Sequence, residues 1–312
     1  MSKAIEDKLN KIPIVNLLVK FLGKIKLPQL EGLSLYDLLE LYVIGIVKGA
    51  LTTRASAIAF NFFMALFPFL LFVLIIIPHI PIEGFETDFL NFLESFLPPT
   101  TTEFFFESIF DNINGGSVIS SVFILSIILM ANGVSAVFSG FEHSYHEQLT
   151  RSIFKQYLYA LGVSIIIAFL FMLTVAVLGA FQIYVIQPLF ESLEGKGITK
   201  TGSDVFWVLF SKYIFFIFMV YLATATLYYF GTKEGRQSKF FSVGALLTTL
   251  LIILTSYLFG IYIENFAQYN KLYGSIGALL ILLFYLWINS NILLLGFELN
   301  VSLFRLKKKS NE

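Results

Sequence analysis

Residues Tyr157–Ile186 read YLYALGVSIIIAFLFMLTVAVLGAFQIYVI, thirty residues without a charge. A bilayer core about 30 Å thick is crossed by roughly 20 helical residues, and backbone inside it must satisfy its own hydrogen bonds. The stretch therefore predicts a transmembrane helix. Comparable apolar stretches lie on either side of it, at residues 57–77, 117–138, 212–231, 240–263 and 275–295. The chain is predicted to be an all-α membrane protein with six transmembrane helices.

The loops between them alternate in charge. The segment before span one, the loops after spans two and four and the C-terminal tail hold 17 Lys/Arg, whereas the remaining loops hold only Lys196, Lys200 and Lys271, with Lys212 at a boundary. The loop from Pro78 to Gly116 has seven acidic residues and no Lys or Arg. Basic residues stay on the cytoplasmic side, so both termini are expected in the cytoplasm and the acidic loop outside. The formal net charge of zero hides this asymmetry. With 57% apolar and 13% charged residues among 312, a soluble globule would expose far too much apolar surface.

The first 50 residues are mixed and polar, so no cleavable signal peptide is expected and span one reads as a retained helix. The absence of cysteine excludes disulfides, thiol catalysis and thiolate metal sites. Three regions follow: an interfacial segment at 1–54, a six-span domain at 55–304 and a basic cytoplasmic tail at 305–312. Within the first, Ile14, Leu17, Leu18, Phe21, Leu22 and Ile25, then Leu35, Leu38, Leu39, Tyr42, Val43, Ile46 and Val47, recur at helical spacing. These amphipathic N-terminal helices have two readings, lying on the cytoplasmic leaflet or packing against the bundle. In the external loop between spans one and two, Phe85, Phe89, Phe92, Phe96, Phe104, Phe105 and Phe110 mark a helical pair broken by Pro98 and Pro99. It reads either as a lid over an outward opening or as a solvated acidic face.

The stretch Thr53 to Phe60 with Ala65, Leu66, Phe67 and Pro68, then Asn132, Gly133 and Val134, and above all Tyr269 to Ala278 followed by Leu294 to Asn300, resembles the YihY/virulence factor BrkB family over roughly Leu41 to Asn300. The family usually has a proline soon after span four and a tryptophan in span five, and this chain has neither. The resemblance implies a six-helix inner-membrane protein of unassigned biochemistry, linked in various members to envelope integrity, serum resistance and lipopolysaccharide export. Some members carry an older ribonuclease BN label.

The residues speak against that label. Hydrolysis of RNA needs clustered metal ligands or an acid and base paired about the phosphate. The chain has three histidines, of which His143 and His146 would share a helical face beside Glu142 and Glu147. That pair reads as a metal-binding candidate or as an interfacial polar cap. No basic cleft for nucleic acid and no phosphate-cradling glycine loop is present, so neither an enzyme, a cofactor, a nucleic-acid partner nor direct ATP hydrolysis is expected. The oligomeric state is left open.

Polar residues inside the spans point elsewhere. Asn61, Asn132, Asn289 and Asn291 fall toward the cytoplasmic half, with Arg54 and Glu298 near the inner boundary. Polar groups facing lipid are costly, so these are expected to line an inward-facing pocket or to bond helix to helix. Glu298 can also pair with Arg54, Arg151 or Lys155. Pro68 permits a hinge or a fixed kink, and Gly133, Gly274, Gly277 and Gly296 offer close helix approach. The reading is a transporter or translocator of a lipid, an anionic or other amphiphile, or an envelope-related solute, in contact with membrane lipids. The alternative is a non-transporting scaffold for envelope biogenesis.

Overall fold

The computed structural model describes residues 23–24, 34, 36, 50–77, 80, 116–142, 152–188, 203–232, 239–266 and 275–311. The amphipathic stretches before residue 48, the aromatic repeats of the loop after span one, His143, His146 and Gly274 lie outside these residues. The described part is helical: α1 (Leu51–Ile76), α2 (Gly116–Glu142), α3 (Ile153–Phe181) continued by a π turn (Gln182–Ile186), α4 (Ser203–Gly231), α5 (Val243–Phe266) and α6 (Ser275–Asn311). All six contain a stretch long and apolar enough to cross a membrane.

Three helices outrun their expected spans. α1 begins at Leu51 rather than near residue 57, because Ala50 takes a left-handed conformation, φ 46°, and its carbonyl accepts the amides of Thr53 and Arg54. A hydropathy pattern stops at the arginine, but the helix does not, since Arg54 is buried with a partner. α4 starts at Ser203 rather than 212, with no proline or glycine before Gly231 to break it. α6 runs to Asn311, so the basic tail continues the last span as helix instead of forming a separate segment. Elsewhere the boundaries agree to within a few residues.

Consecutive helices are neighbours, and α6 returns to α1, which closes a ring in chain order. α2 leans inward and also touches α4 and α6. Two apolar clusters fill the ring. Toward the Arg54 end, Phe141 stacks on Phe297 with centroids 4.1 Å apart and meets Tyr228 edge-on, beside Ala55, Ile58, Phe138 and Leu294. Toward the other end, Phe72, Val73 and Ile77 of α1 pack with Met130, Ala168 and Met172, and Phe72 stacks on Phe123. Pro68 is buried inside α1, which continues through it as helix.

α5 and α6 cross backbone to backbone. A Cβ added at Gly296 would overlap Thr248 Oγ1 and lie 2.7 Å from the Gly244 carbonyl oxygen, while one at Gly244 would run into the Gly296 carbonyl. Only glycine at both positions allows that approach. Polar bonds lock the crossing. Asn300 Oδ1 accepts the Gly244 amide at 2.7 Å and its Nδ2 donates to Ser242 Oγ at 2.8 Å, and Tyr228 Oη lies 2.5 Å from Thr248 Oγ1 and donates to the Leu293 carbonyl at 2.7 Å. Gly133 plays a milder version of the part between α2 and α1, where a Cβ would sit 3.0 Å from that of Ala65. Gly277 is buried near the start of α6.

Candidate binding groove at the seam of α1 and α2

Arg54 stands in the first turn of α1. Its Nη2 donates to Glu298 Oε1 at 2.7 Å and its Nη1 to the Gly140 carbonyl at 2.7 Å, so one guanidinium ties together α1, α6 and the last turns of α2. Arg54 is 8% exposed and Glu298 is fully buried. A carbonyl near a helix C-terminus lacks an intrahelical partner, and the arginine supplies one. Among the described residues, Arg54 is the cation that pairs with Glu298. The planar fork of arginine suits two acceptors in different directions, which a lysine ammonium would meet less well.

Beside this pair lies a groove of about 540 Å³ lined by Thr53, Arg54, Ala57 and Asn61 of α1 and by Asn132, Ser135, Ala136, Ser139 and Gly140 of α2. On each helix the lining follows one face: Arg54, Ala57 and Asn61 are spaced by three and four residues, and so are Asn132, Ser135 and Ser139. Asn61 returns one bond to its own helix, from Nδ2 to the Ala57 carbonyl at 2.8 Å. Asn132 is exposed and has no hydrogen-bond partner among the described residues. The polar wall continues onto α3, where the Gln156 amide lies 2.8 Å from Ser139 Oγ; turned with its nitrogen toward the carboxylate, it donates to Glu142 Oε2 at 3.2 Å.

The predicted pocket residues therefore divide. Arg54, Asn61 and Asn132 line the groove, and Glu298 supports it from behind through Arg54. Asn289 and Asn291 do not line it; each donates to a carbonyl one turn back, those of Tyr285 and Trp287, at 2.9 and 2.8 Å. They lie on α6, which meets α1 through Glu298 on Arg54 and, farther along the helix, through Trp287 Nε1 to Ser56 Oγ at 3.2 Å. Sequence reasoning missed Ser135, Ser139, Gly140 and Gln156. For the two serines a signal was present, a stripe of small and polar residues at spacings of three and four through an otherwise apolar helix. Among the described residues no group of three or more His, Asp or Glu comes together.

The model of the family described as virulence factor BrkB matches residues 45–312, which covers every helix of the ring and the groove. The chain belongs to the virulence factor BrkB family. Among relatives of this BrkB-family chain, the putative ribonuclease-like protein YfkH of Bacillus subtilis is 25% identical over 267 residues, 83% of this chain and 92% of that protein. A UPF0761 membrane protein of Coxiella burnetii is 25% identical over 252 residues, 78% of this chain and 84% of its own length. A third, from Idiomarina loihiensis, is 30% identical over 110 residues, about a third of either chain. No solved structure matches the BrkB-family chain.

Proposed function

We propose that this BrkB-family protein is a multi-pass protein of the cytoplasmic membrane that binds and moves a lipid or other amphiphile, taking its polar head into the groove between α1 and α2. The observation that carries the reading is the contrast along this seam. Asn61, Asn132, Ser135 and Ser139 line the groove, while Met64, one turn on from Asn61, and Ile128 and Leu125, one and two turns before Asn132, are exposed at 56, 40 and 54%. A polar recess opening onto an apolar strip suits a ligand that is itself polar at one end and apolar along the rest. With Lys- and Arg-rich loops on the cytoplasmic side, the recess lies at the level of the inner leaflet.

The reading assigns no direct ATP hydrolysis and no enzymatic activity. The word ribonuclease in the name of the Bacillus relative is not carried over, because the groove offers amides, hydroxyls and one neutralised arginine rather than an acid and base around a phosphate.

The test is lipid retention. Purified in a mild detergent, wild-type protein is expected to keep one class of amphiphile above its share of the source membrane, and Asn61→Leu/Asn132→Leu is expected to lose that excess at unchanged melting temperature. Reconstituted vesicles should then show translocation of the retained class by wild type and not by the variant. An unselective mixture of lipids, identical in both proteins, would overturn the reading and favour the scaffold.

A further inference from the structure

The end of the bundle opposite Arg54 carries a charge that the groove does not use. Lys212 lies nineteen residues before Gly231, the last residue of α4, which at 1.5 Å per residue places it about 28 Å along the helix from that end. That is close to the hydrocarbon thickness of about 30 Å, so Lys212 stands where acyl chains give way to head groups. It is half-buried, and its Nζ donates to Gln182 Oε1 at 3.1 Å. Among the described residues the sole ion pair is Arg54–Glu298, so the ammonium is met by a neutral amide. Gln182 opens the π turn of α3, and such single-turn π segments recur at functional sites. Tyr213 and Tyr184, next to Lys212 and two residues after Gln182, stand exposed at 64 and 61%, with Trp207 at 63% about 7.5 Å farther out along α4, and these are the residue types that settle among head groups.

We propose that Lys212, held by Gln182, binds the phosphate of an anionic phospholipid at the membrane boundary opposite Arg54. An ammonium has three donors. One is spent on Gln182, which leaves two for phosphate oxygens. A charge at the edge of the apolar layer is stabilised by a counter-charge at the same depth, and the lipid phosphate is the anion that depth supplies. The occupant is a lipid rather than soluble phosphate because exposed Ile214, Phe216 and Phe218, on the Gly231 side of Lys212, continue the surface for acyl chains. The site does not depend on the α1–α2 groove or on its proposed role.

The experiment uses the full chain reconstituted in equimolar phosphatidylglycerol and phosphatidylcholine, extracted in mild detergent and weighed with its bound lipids by native mass spectrometry. Wild type and Lys212→Arg are expected to retain phosphatidylglycerol severalfold over phosphatidylcholine. Lys212→Gln, which keeps a hydrogen bond to Gln182 without the charge, is expected to bring the ratio near one, and so is Lys212→Met. Asn132→Leu, at the other end of the protein, should leave the Lys212-dependent excess in place even if it alters retention at the groove. A wild type with no preference, or a folded Lys212→Gln with the wild-type ratio, would overturn the proposal. Should Lys212→Met fail to fold, the Gln and Arg variants decide.

Discussion

Arg54 and Glu298 stand 244 positions apart in the chain and 2.7 Å apart in space. Their pair joins the first helix to the last and so closes the ring that the intervening four helices form. A buried charge whose partner is removed costs about 3–5 kcal/mol, much more than the pair itself is worth over an apolar replacement. Glu298→Gln and Arg54→Met are each expected to lower the melting temperature of the purified protein sharply, and Arg54→Met/Glu298→Leu to recover a good part of the loss. Exchanging the charges, Arg54→Glu with Glu298→Arg, should recover less, since the Gly140 carbonyl would then face a carboxylate. Additive losses in the double variant would show that the pair is not energetically coupled.

A second prediction ranks glycines. Gly296→Ala must displace backbone at Gly244, and overpacking of this kind costs about 1–3 kcal/mol or more. Gly133→Ala meets the Ala65 methyl at 3.0 Å, and the Phe62 ring and the Asn61 carbonyl oxygen at the ordinary contact distances of 3.4 and 3.7 Å, so a smaller loss is expected. Gly162→Ala and Gly260→Ala meet nothing within 4 Å and should be neutral or mildly stabilising. Thermal melts of the four variants in one detergent test the order, and a Gly162→Ala that destabilises as much as Gly296→Ala would break it.

The fold was legible because membrane spans are written in long uncharged runs, and loop charge tells them apart. What hydropathy misjudged were ends: α1 begins before Arg54 because that charge is paired in protein, and α6 runs on past an exposed Arg305, and neither condition shows in a sliding window. The site was legible in part. Asn61 and Asn132 were visible as polar residues at one depth, but depth does not give azimuth, so Asn289 and Asn291 were grouped with them although α6 turns them elsewhere. Azimuth could be inferred for Ser135 and Ser139 from their shared face with Asn132. Gly140 offers only a carbonyl, which no side-chain pattern reveals.

Tyr228 carries a third prediction. Its hydroxyl bridges Thr248 and the Leu293 carbonyl across three helices, with the ring in the Phe141 cluster. Tyr228→Phe keeps the ring and removes the bridge, and interhelical hydrogen bonds in membranes are worth about 1–2 kcal/mol at most. A modest fall in melting temperature is expected. Thr248→Val in the same background should add little, because the two changes remove the same bond, and full additivity would refute the shared bridge.

The orientation of the bundle can be read with thiol chemistry, since the chain has no cysteine of its own. Single substitutions Gly235→Cys and Ser310→Cys are expected to react with a membrane-impermeant maleimide only after permeabilisation, and Thr101→Cys in intact cells. The reverse pattern would invert the topology and move the groove to the outer leaflet.

The last prediction separates two asparagines that look alike in the sequence. Asn132 is exposed in the groove and bonds to nothing among the described residues, so Asn132→Leu removes no stabilising contact and is expected to shift stability by less than about 0.5 kcal/mol while changing the retained lipid. Asn289 satisfies its amide nitrogen on the Tyr285 carbonyl, but its Oδ1 is buried without a partner among the described residues. A buried acceptor left unsatisfied costs about 1–3 kcal/mol, so Asn289→Leu should be neutral or stabilising and should leave lipid retention unchanged. Melting temperature and lipid mass spectra for the two variants test both halves. Loss of the retained lipid on Asn289→Leu with Asn132→Leu inert would shift the binding site from the α1–α2 seam to α6.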